Sequence, residues 1–151
     1  MGKISRERRH AMNLEIGKYI YSVLNAIVVT PAATANDSPV LLTVFPVIAD
    51  FNTAAPTTPF AVYQRTGCEP DYTKNLFTGL VRHTYSVTVA DNDYTNTLTL
   101  AKAVINAMLA LSHTDQTDIC FDQVLLTDLS EDFVDGIYTQ TLQFEINTTQ
   151  K

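Results

Sequence analysis

Three histidines and two cysteines are the side chains of this sequence that could act as nucleophiles, general bases or soft metal ligands. Cys68 and Cys120 lie far apart and follow no zinc-binding spacing, so free thiols are expected. His10 lies in a polar N-terminal stretch, His83 on a predicted strand and His113 in a predicted turn, each without a second ligand at metal spacing. Each histidine is therefore predicted to be a surface or interface residue.

Sequence motifs of catalysis are missing from the chain. It contains no nucleophile elbow, Walker loop, glycine-rich dinucleotide loop or EF-hand pattern. The acidic residues between positions 115 and 135 could contact a hard cation, but their spacing lacks the glycine and the alternation of a calcium loop. We therefore predict a protein that is not an enzyme and that needs no metal or cofactor.

Charge is distributed unevenly along the chain. Seven acids lie between positions 113 and 135 without one Lys or Arg. They are Asp115, Asp118, Asp122, Asp128, Glu131, Asp132 and Asp135. A field of one sign repels nucleic-acid phosphate, so this stretch predicts either a solvated acidic face or the lining of a channel past which DNA slides without binding.

The first residues have the opposite charge. Four of the ten basic residues, Lys3, Arg6, Arg8 and Arg9, lie within the first ten positions, which leaves six bases against fifteen acids, a net charge of −9, for the rest. Residues 1–11 are predicted to form a flexible basic arm that contacts a partner, and residues 12–151 a single domain.

Overall composition favours a protein that is covered by neighbours. Charged residues make up 17% of the chain, below the roughly 25% of a typical soluble domain, and Thr, Ser, Asn and Gln replace them. A β-rich protein with Thr on its solvent faces explains the same composition. No apolar run is long enough to span a bilayer and no signal peptide is recognisable, so an intracellular protein without membrane contact is expected.

The N-terminal third predicts a helix followed by an edge strand. A stripe of apolar residues at helical spacing runs from Met12 to about Ile27, where Pro31 prevents continuation of the helix. Residues 31–39 are predicted to form a loop. The strand predicted over residues 40–49 contains Pro46, which restricts it to an edge of a sheet.

The central stretch changes from strand periodicity to helix periodicity. A strand over residues 60–66 precedes a second strand in which Tyr85, Val87 and Val89 alternate with hydroxyl-bearing residues. A helical stripe follows, consisting of Leu98, Ala101, Val104 or Ile105, Met108 and Leu111.

The last two strands complete the predicted fold. In residues 121–129, Val124 and Leu126 are placed on one face and Phe121 and Leu125 on the other. The turn Leu-Ser-Glu-Asp-Phe-Val-Asp-Gly leads to a strand with Tyr138, Leu142, Phe144 and Ile146 on one face. The predicted fold class is α+β, a largely antiparallel four- to five-stranded sheet with two helices packed on one face.

A loop over residues 67–79 is predicted between the two central strands. It is longer than a hairpin needs and carries apolar residues near its tip, so it either folds back on the sheet or contacts a partner. The residues predicted to make contacts between subunits or between rings are Glu69, Asp71, Tyr72, Lys74, Leu76 and Phe77.

Several of these segments together resemble a known family. They are Phe45-Pro46-Val47, the strand Pro59-Phe60-Ala61-Val62-Tyr63-Gln64-Arg65, the strand end Tyr85-Ser86-Val87-Thr88-Val89, and the helix opened by Tyr94 with Ala101 and Val104. In this order the pattern, which covers about residues 14–144, resembles the tail-completion or tail-terminator proteins of long-tailed bacteriophages. The basic arm and the length of the loop over residues 36–58 depart from that pattern.

The resemblance implies a structural virion protein of the tail or neck, assembled in the host cytoplasm. Such a subunit forms a closed homo-oligomeric ring, typically hexameric, that ends the tail tube and joins it to the head–tail connector or adaptor protein. The ring leaves an axial channel through which DNA passes without specific binding. Two alternatives stay open: another neck or head-completion ring subunit, and a non-enzymatic cytoplasmic module that binds a peptide at an edge strand. An enzyme whose site is not recognisable from sequence would lose activity if His83, Cys68 and Cys120 were replaced.

Overall fold

The computed structural model describes residues 14–30, 39–47, 58–74 and 76–151, and of Thr30 only the backbone. The elements in chain order are α1 (Ile16–Asn25), β1 (Val28–Thr30), β2 (Val40–Leu41), β3 (Thr43–Pro46), β4 (Phe60–Thr73), β5 (Leu76–Asp91), α2 (Tyr94–Leu109), β6 (Thr114–Asp115), β7 (Ile119–Val134) and β8 (Ile137–Gln150). The two helices and the mostly antiparallel strands confirm the predicted α+β class.

The main sheet has six strands in the order β3-β4-β5-β8-β7-β6. β3 pairs with β4 in parallel, and every other pair in this sheet is antiparallel. A separate two-stranded sheet joins β1 to β2. The strand number is therefore larger than predicted, because the short strands β1, β2 and β6 carry too few residues for a visible period.

Both helices pack on one face of the main sheet, which we call the helix face. Ile16, Ile20 and Leu24 of α1, four residues apart, are fully buried there. They share one core with α2 and with alternating residues of β5, β7 and β8. The sheet residues of that core include Tyr85, Val87, Val89, Phe121, Val124, Leu142, Phe144 and Ile146. The predicted alternation in β5 and β8 is confirmed.

Helix α2 covers the centre of the helix face with the predicted stripe from Ala101 to Leu111, and only the first predicted position, Leu98, is wrong. Thr97, Leu100, Ala101, Val104 and Met108 are its buried residues, whereas Leu98 is exposed. The helix begins after Asp93, whose carboxylate accepts a hydrogen bond from the backbone N–H of Asn96 at 3.0 Å.

For one residue of β7, Phe121, the predicted face of the sheet was wrong. A bulge between Phe121 and Gln123 adds one residue to β7 relative to β8, so Phe121 and Val124 both point into the core. Leu125, opposite Glu145 of β8, lies on the other face, which we call the second face. A shift of one residue reverses the side on which every earlier residue of the strand lies.

The boundaries of the N-terminal elements also differ from prediction. Helix α1 ends at Asn25, two residues before the predicted end, and is followed by β1, a strand that the sequence analysis did not predict. The strand predicted over residues 40–49 is divided into β2 and β3, and β3 lies at the edge of the main sheet, as Pro46 requires. Of the loop predicted over residues 31–39 only Pro39 is described, and the arm predicted over residues 1–11 lies outside the described residues.

Candidate interaction surfaces

The segment predicted as a loop over residues 67–79 is a hairpin instead. β4 continues to Thr73 and β5 begins at Leu76, so only residues 74 and 75 separate the strands. Lys74 adopts a left-handed backbone with φ of 49°. The sequence missed this extension because Gly67, Pro70 and two bulges interrupt the alternation of β4, while cross-strand pairing holds it together.

Five of the six residues predicted as contacts lie at the tip of the β4–β5 hairpin, and the sixth, Glu69, lies at its base. Tyr72 and Leu76 are each 57% exposed, while Phe77 is buried against the Tyr72 ring at a centroid distance of 6.0 Å. Asp71 accepts a hydrogen bond from the Thr78 hydroxyl at 2.8 Å. Tyr72 and Leu76 therefore offer apolar surface, whereas Phe77 and Asp71 stabilise the hairpin itself.

At the base of this hairpin the charged residues are already paired. The Arg82 guanidinium lies 3.3 Å from Glu69 and 3.6 Å from Glu145 across three neighbouring strands. Arg82 and Glu69 line a cavity of about 380 Å³ together with Asp122 and Asn147. The Arg82 guanidinium is held between two carboxylates in a surface ion-pair network, so its charge is already compensated within the chain.

A second hairpin, β7–β8, points toward the opposite end of the sheet. The β4–β5 tip lies beyond the pairing of Leu80 with Thr149, while the β7–β8 tip lies beyond the pairing of Asp91 with Tyr138. Its turn, Asp135-Gly136, has φ values of 54° and 80°. Two left-handed residues are what a two-residue hairpin turn of type I′ requires, and Asp-Gly is a favoured pair for it.

The β7–β8 tip exposes apolar residues that the sequence analysis had placed in a turn. Phe133 and Val134 are 55% and 57% exposed. The Phe133 ring stacks on Tyr138 at 4.4 Å, and Tyr138 in turn contacts Tyr94 at the start of α2. The Asp-Gly pair between two apolar pairs, Phe133-Val134 and Ile137-Tyr138, was the signal that could have identified this hairpin.

The seven acids predicted as a channel lining lie along β6, β7 and the adjoining turns, but they do not share one face. At one end, Asp115 and Asp118 each lie 3.9 Å from a lysine, Lys151 and Lys18 respectively. The Thr149 hydroxyl donates a hydrogen bond to Asp122. The Tyr94 hydroxyl donates to Glu131 on the helix face at 3.0 Å, and this hydrogen bond raises the pKa of Tyr94.

Three of the seven acids have neither an ion pair nor a hydrogen bond from another side chain in the described part of the chain. Asp128 and Asp132 are paired with Gln143 and Thr139 of β8 on the second face, and Asp135 lies in the hairpin turn. They cluster at the end of β7 that carries Phe133 and Val134. The predicted acidic lining is thereby reduced to three candidates on one half of one strand.

The predicted location of His83 was wrong. The imidazole is 1% exposed on the helix face, and its Nδ1 has no hydrogen-bond partner in the described part of the chain. Burial, with a smaller effect from the nearby Arg65 charge, lowers the pKa of His83 from 6.5 to about 4. The histidine is therefore neutral at pH 7. His113 is exposed in a turn, and His10 lies outside the described residues.

Neither cysteine takes part in a reactive arrangement. Neither Cys68 nor Cys120 forms a disulfide, as expected, and both are partly buried. A hydrogen bond to the Asp115 carboxylate, together with burial, raises the pKa of the Cys120 thiol, which disfavours the nucleophilic thiolate. Across the described ranges, no group of three or more His, Cys, Asp or Glu side chains is arranged to hold a metal ion.

Comparison with known proteins gives a structural neighbour but no family. No protein-family model matches the chain, and no curated protein sequence matches it. Among solved structures, a chain in "Virion of native gene transfer agent (GTA) particle" is similar, with a TM-score of 0.50 at 10% identity over 91% of this chain and 89% of that chain. This likeness shows a shared fold. In the described part of the chain, no helix is long and apolar enough to cross a membrane.

Proposed function

We propose that this protein is a structural subunit of a phage or phage-like virion that assembles into a closed ring at the end of the tail tube. The ring would join the tube protein to the head–tail connector or adaptor protein and leave an axial channel for DNA. The observation that carries the proposal is the fold shared, over nearly the whole length of both chains, with a chain of the gene transfer agent virion. Localisation in the virion, after assembly in the host cytoplasm, belongs to the same proposal.

Surface features support a role in assembly. Apolar side chains are exposed at two hairpin tips that lie at opposite ends of the sheet, Tyr72 and Leu76 at one and Phe133 and Val134 at the other. A head-to-tail contact between two different patches of identical subunits closes into a ring when the rotation between them divides a full turn. Such a ring, with six copies as the proposed number, would bury both tips without a two-fold dimer.

DNA passage is the part of the proposal that the charges support. β7 and β8 contain no Lys or Arg, and Asp128, Asp132 and Asp135 lie on that hairpin without a basic partner among the described residues. Carboxylates facing a channel repel phosphate, so DNA would pass without adhering to the wall.

Negative-stain electron microscopy and mass photometry of the purified protein test the ring. We expect rings with a central hole and a mass that is an integral multiple of 16.7 kDa. Adding purified tail tubes should place the ring at one tube end. A protein that remains a monomer at high concentration, alone and with tube and connector proteins, would contradict the proposal.

A second candidate is a module that binds a peptide by adding a strand to its sheet. The observation that favours it is the outer edge of β7, which is unpaired over most of its length in the described structure. A monomer that binds an extended peptide would support this function. A binding experiment with purified virion components distinguishes a ring at the tail end from a different ring of the neck or head. Each would bind a different component.

A further inference from the structure

The outer edge of β7 is the longest strand edge without a partner in the described structure. β6 pairs only with Cys120 and Phe121, so the backbone over residues 122–134 faces outward without a strand beside it among the described residues. A long exposed edge is a template for strand addition, and proteins usually cover it, shorten it or break it. Apolar side chains accompany this edge and are exposed: Leu125, Leu126, Leu129, Phe133 and Val134. The edge is therefore built to be covered by another segment.

Charge restricts which segment can cover it. Pairing this edge with the same edge of a second copy would bring Asp128 and Asp132 of both copies together, and like charges on adjacent strands are unfavourable. A suitable segment is basic and polar. In this sequence the densest group of bases is Lys3, Arg6, Arg8 and Arg9, which precede the first described residue, Leu14.

The position of Leu14 shows on which side of the sheet the basic N-terminal segment joins the described fold. The Leu14 carbonyl accepts a hydrogen bond from Arg65 of β4, so the chain enters the described fold on the β4 side of the sheet. β5 and β8 lie between β4 and β7, so β4 and β7 are three strand spacings apart, about 14 Å. In the proposed ring, the β4–β5 tip of one copy meets the β7–β8 tip of the next, beside which Asp128 and Asp132 lie. Arg65 is eight residues, about 26 Å along the strand, from the end of β4 at Thr73. Thirteen extended residues span up to about 43 Å, enough to cross that junction.

We propose that residues 1–13 of one copy dock along the outer edge of β7 in the neighbouring copy, with the bases next to Asp128 and Asp132 and the backbone added as a strand. The inference rests on the proposed ring and names the contact that ties its subunits together. It also explains how an acidic edge with exposed leucines avoids uncontrolled aggregation in the virion.

Cysteine cross-linking of full-length chains tests the contact. In a background with Cys68 and Cys120 replaced by serine, one protein carries Ser5→Cys in the arm and a second carries Ser130→Cys on β7. After the two are mixed and oxidised, mass spectrometry should find the peptide joined through positions 5 and 130. Lys102→Cys, on the exposed surface of α2, replaces Ser130→Cys in the matched control and should give only background coupling.

The outcomes separate the inference from the function on which it rests. If the wild-type protein forms rings but the Ser5→Cys and Ser130→Cys proteins couple no more than the Lys102→Cys control, the inference is overturned and the ring is left intact. A protein carrying both cysteines that couples only within one chain would show the arm on its own β7, which also overturns it. Failure of the wild-type protein to form rings would instead count against the proposed function.

Charge reversal gives a second measurement that does not need a cross-link. Asp128→Lys with Asp132→Lys should weaken ring association about tenfold, because two attractive contacts become repulsive at each junction. Asp115→Lys with Asp118→Lys changes the net charge equally at the other end of β7 and should have a smaller effect. Melting temperatures establish first that each variant folds. Equal loss of association in both variants would show that only net charge matters.

Discussion

The two faces of the main sheet are formed by the same strands, but they differ in what packs against them: α1 and α2 pack on the helix face only. On the helix face, α1 and α2 bury Val87, Leu142 and Phe144 completely. On the second face, the same strands present Ser86, Gln143 and Thr141, which are only partly buried. Most of the buried apolar residues of the described fold lie on the helix face, so that face contributes most of the stability.

One part of the second face departs from this division. Phe60 and Ala90 are buried there, with Phe45, Val62 and Ile137 packed against them, at the end of the sheet that carries the β7–β8 tip. Phe45 and Phe60 meet edge to face at 6.1 Å. This small cluster anchors the edge strand β3, so the second face contributes locally to the fold although α1 and α2 both pack on the helix face.

The largest change in the free energy of unfolding is expected when a buried side chain of the helix face is removed. Phe144→Ala removes a ring that is fully buried between α2 and the sheet, and should lower the free energy of unfolding by about 3–5 kcal/mol. Gln143→Ala, the next residue on the same strand but on the second face, should change it by less than about 0.5 kcal/mol. Urea denaturation followed by circular dichroism measures both. Similar losses for the two variants would remove the distinction between the faces.

Acid should weaken the helix face through His83. In the unfolded chain this histidine takes up a proton below about pH 6.5, whereas in the folded protein it does so only below about pH 4. Stability should therefore fall as the pH drops from about 6.5 to about 4, by roughly 3 kcal/mol from this group, and show no further loss from it below that. His83→Leu should flatten the profile in this window. An unchanged slope in the variant would show that the pKa is not lowered.

Removing a side chain from the small cluster on the second face should lower the free energy of unfolding by less than the changes on the helix face. Phe60→Ala should cost about 2 kcal/mol, less than Phe144→Ala, because the ring lies in a cluster of few residues at the edge of the sheet. Urea denaturation gives the cost, and amide hydrogen exchange should show faster opening in β3 while β8 remains protected. Loss of protection throughout the sheet would mean that both faces form one core.

The hairpin tip should affect stability least and assembly most. Tyr72→Ser with Leu76→Ser should change the free energy of unfolding by less than about 1 kcal/mol, because both side chains are exposed. Ring formation in mass photometry should nevertheless be lost. Leu98→Ser with Leu109→Ser, two exposed leucines of α2, is the matched control and should still form rings. Equal loss in the control would show that surface apolarity in general drives assembly.

Much of the fold could be predicted where one period ran without interruption. Tyr85, Val87 and Val89 alternate over a strand without bulges in that region, and α1 buries residues exactly one turn apart in sequence, so each pattern identified its element. Prediction failed where an insertion shifts the register. The bulge after Phe121 reversed its assigned face, and the bulges in β4 made a long strand resemble a loop.

The candidate surfaces were predicted less completely than the fold. Tyr72 and Leu76 were identified as exposed contacts, and their exposure is confirmed, whereas Phe77 from the same set packs against its own hairpin. The acidic stretch was visible as a run of charges, but its division into paired and unpaired carboxylates depends on Lys18, Lys151, Tyr94 and Thr149 from distant parts of the chain. His83 was assigned to the surface because its neighbours in sequence are polar. It is buried because its side chain lies on the helix face of β5.

The sequence by itself determined the α+β class, the two helices, the strand faces with strict alternation, and the separation of positive charge at the N-terminus from negative charge in the last third. These properties follow from short-range periodicity and from simple sums of charge. Only the tertiary structure decided that two hairpins point to opposite ends of the sheet, that the outer edge of β7 has no strand beside it over most of its length among the described residues, and which acids have partners. Such properties depend on register and on contacts between residues far apart in the chain, and neither is carried by any local pattern.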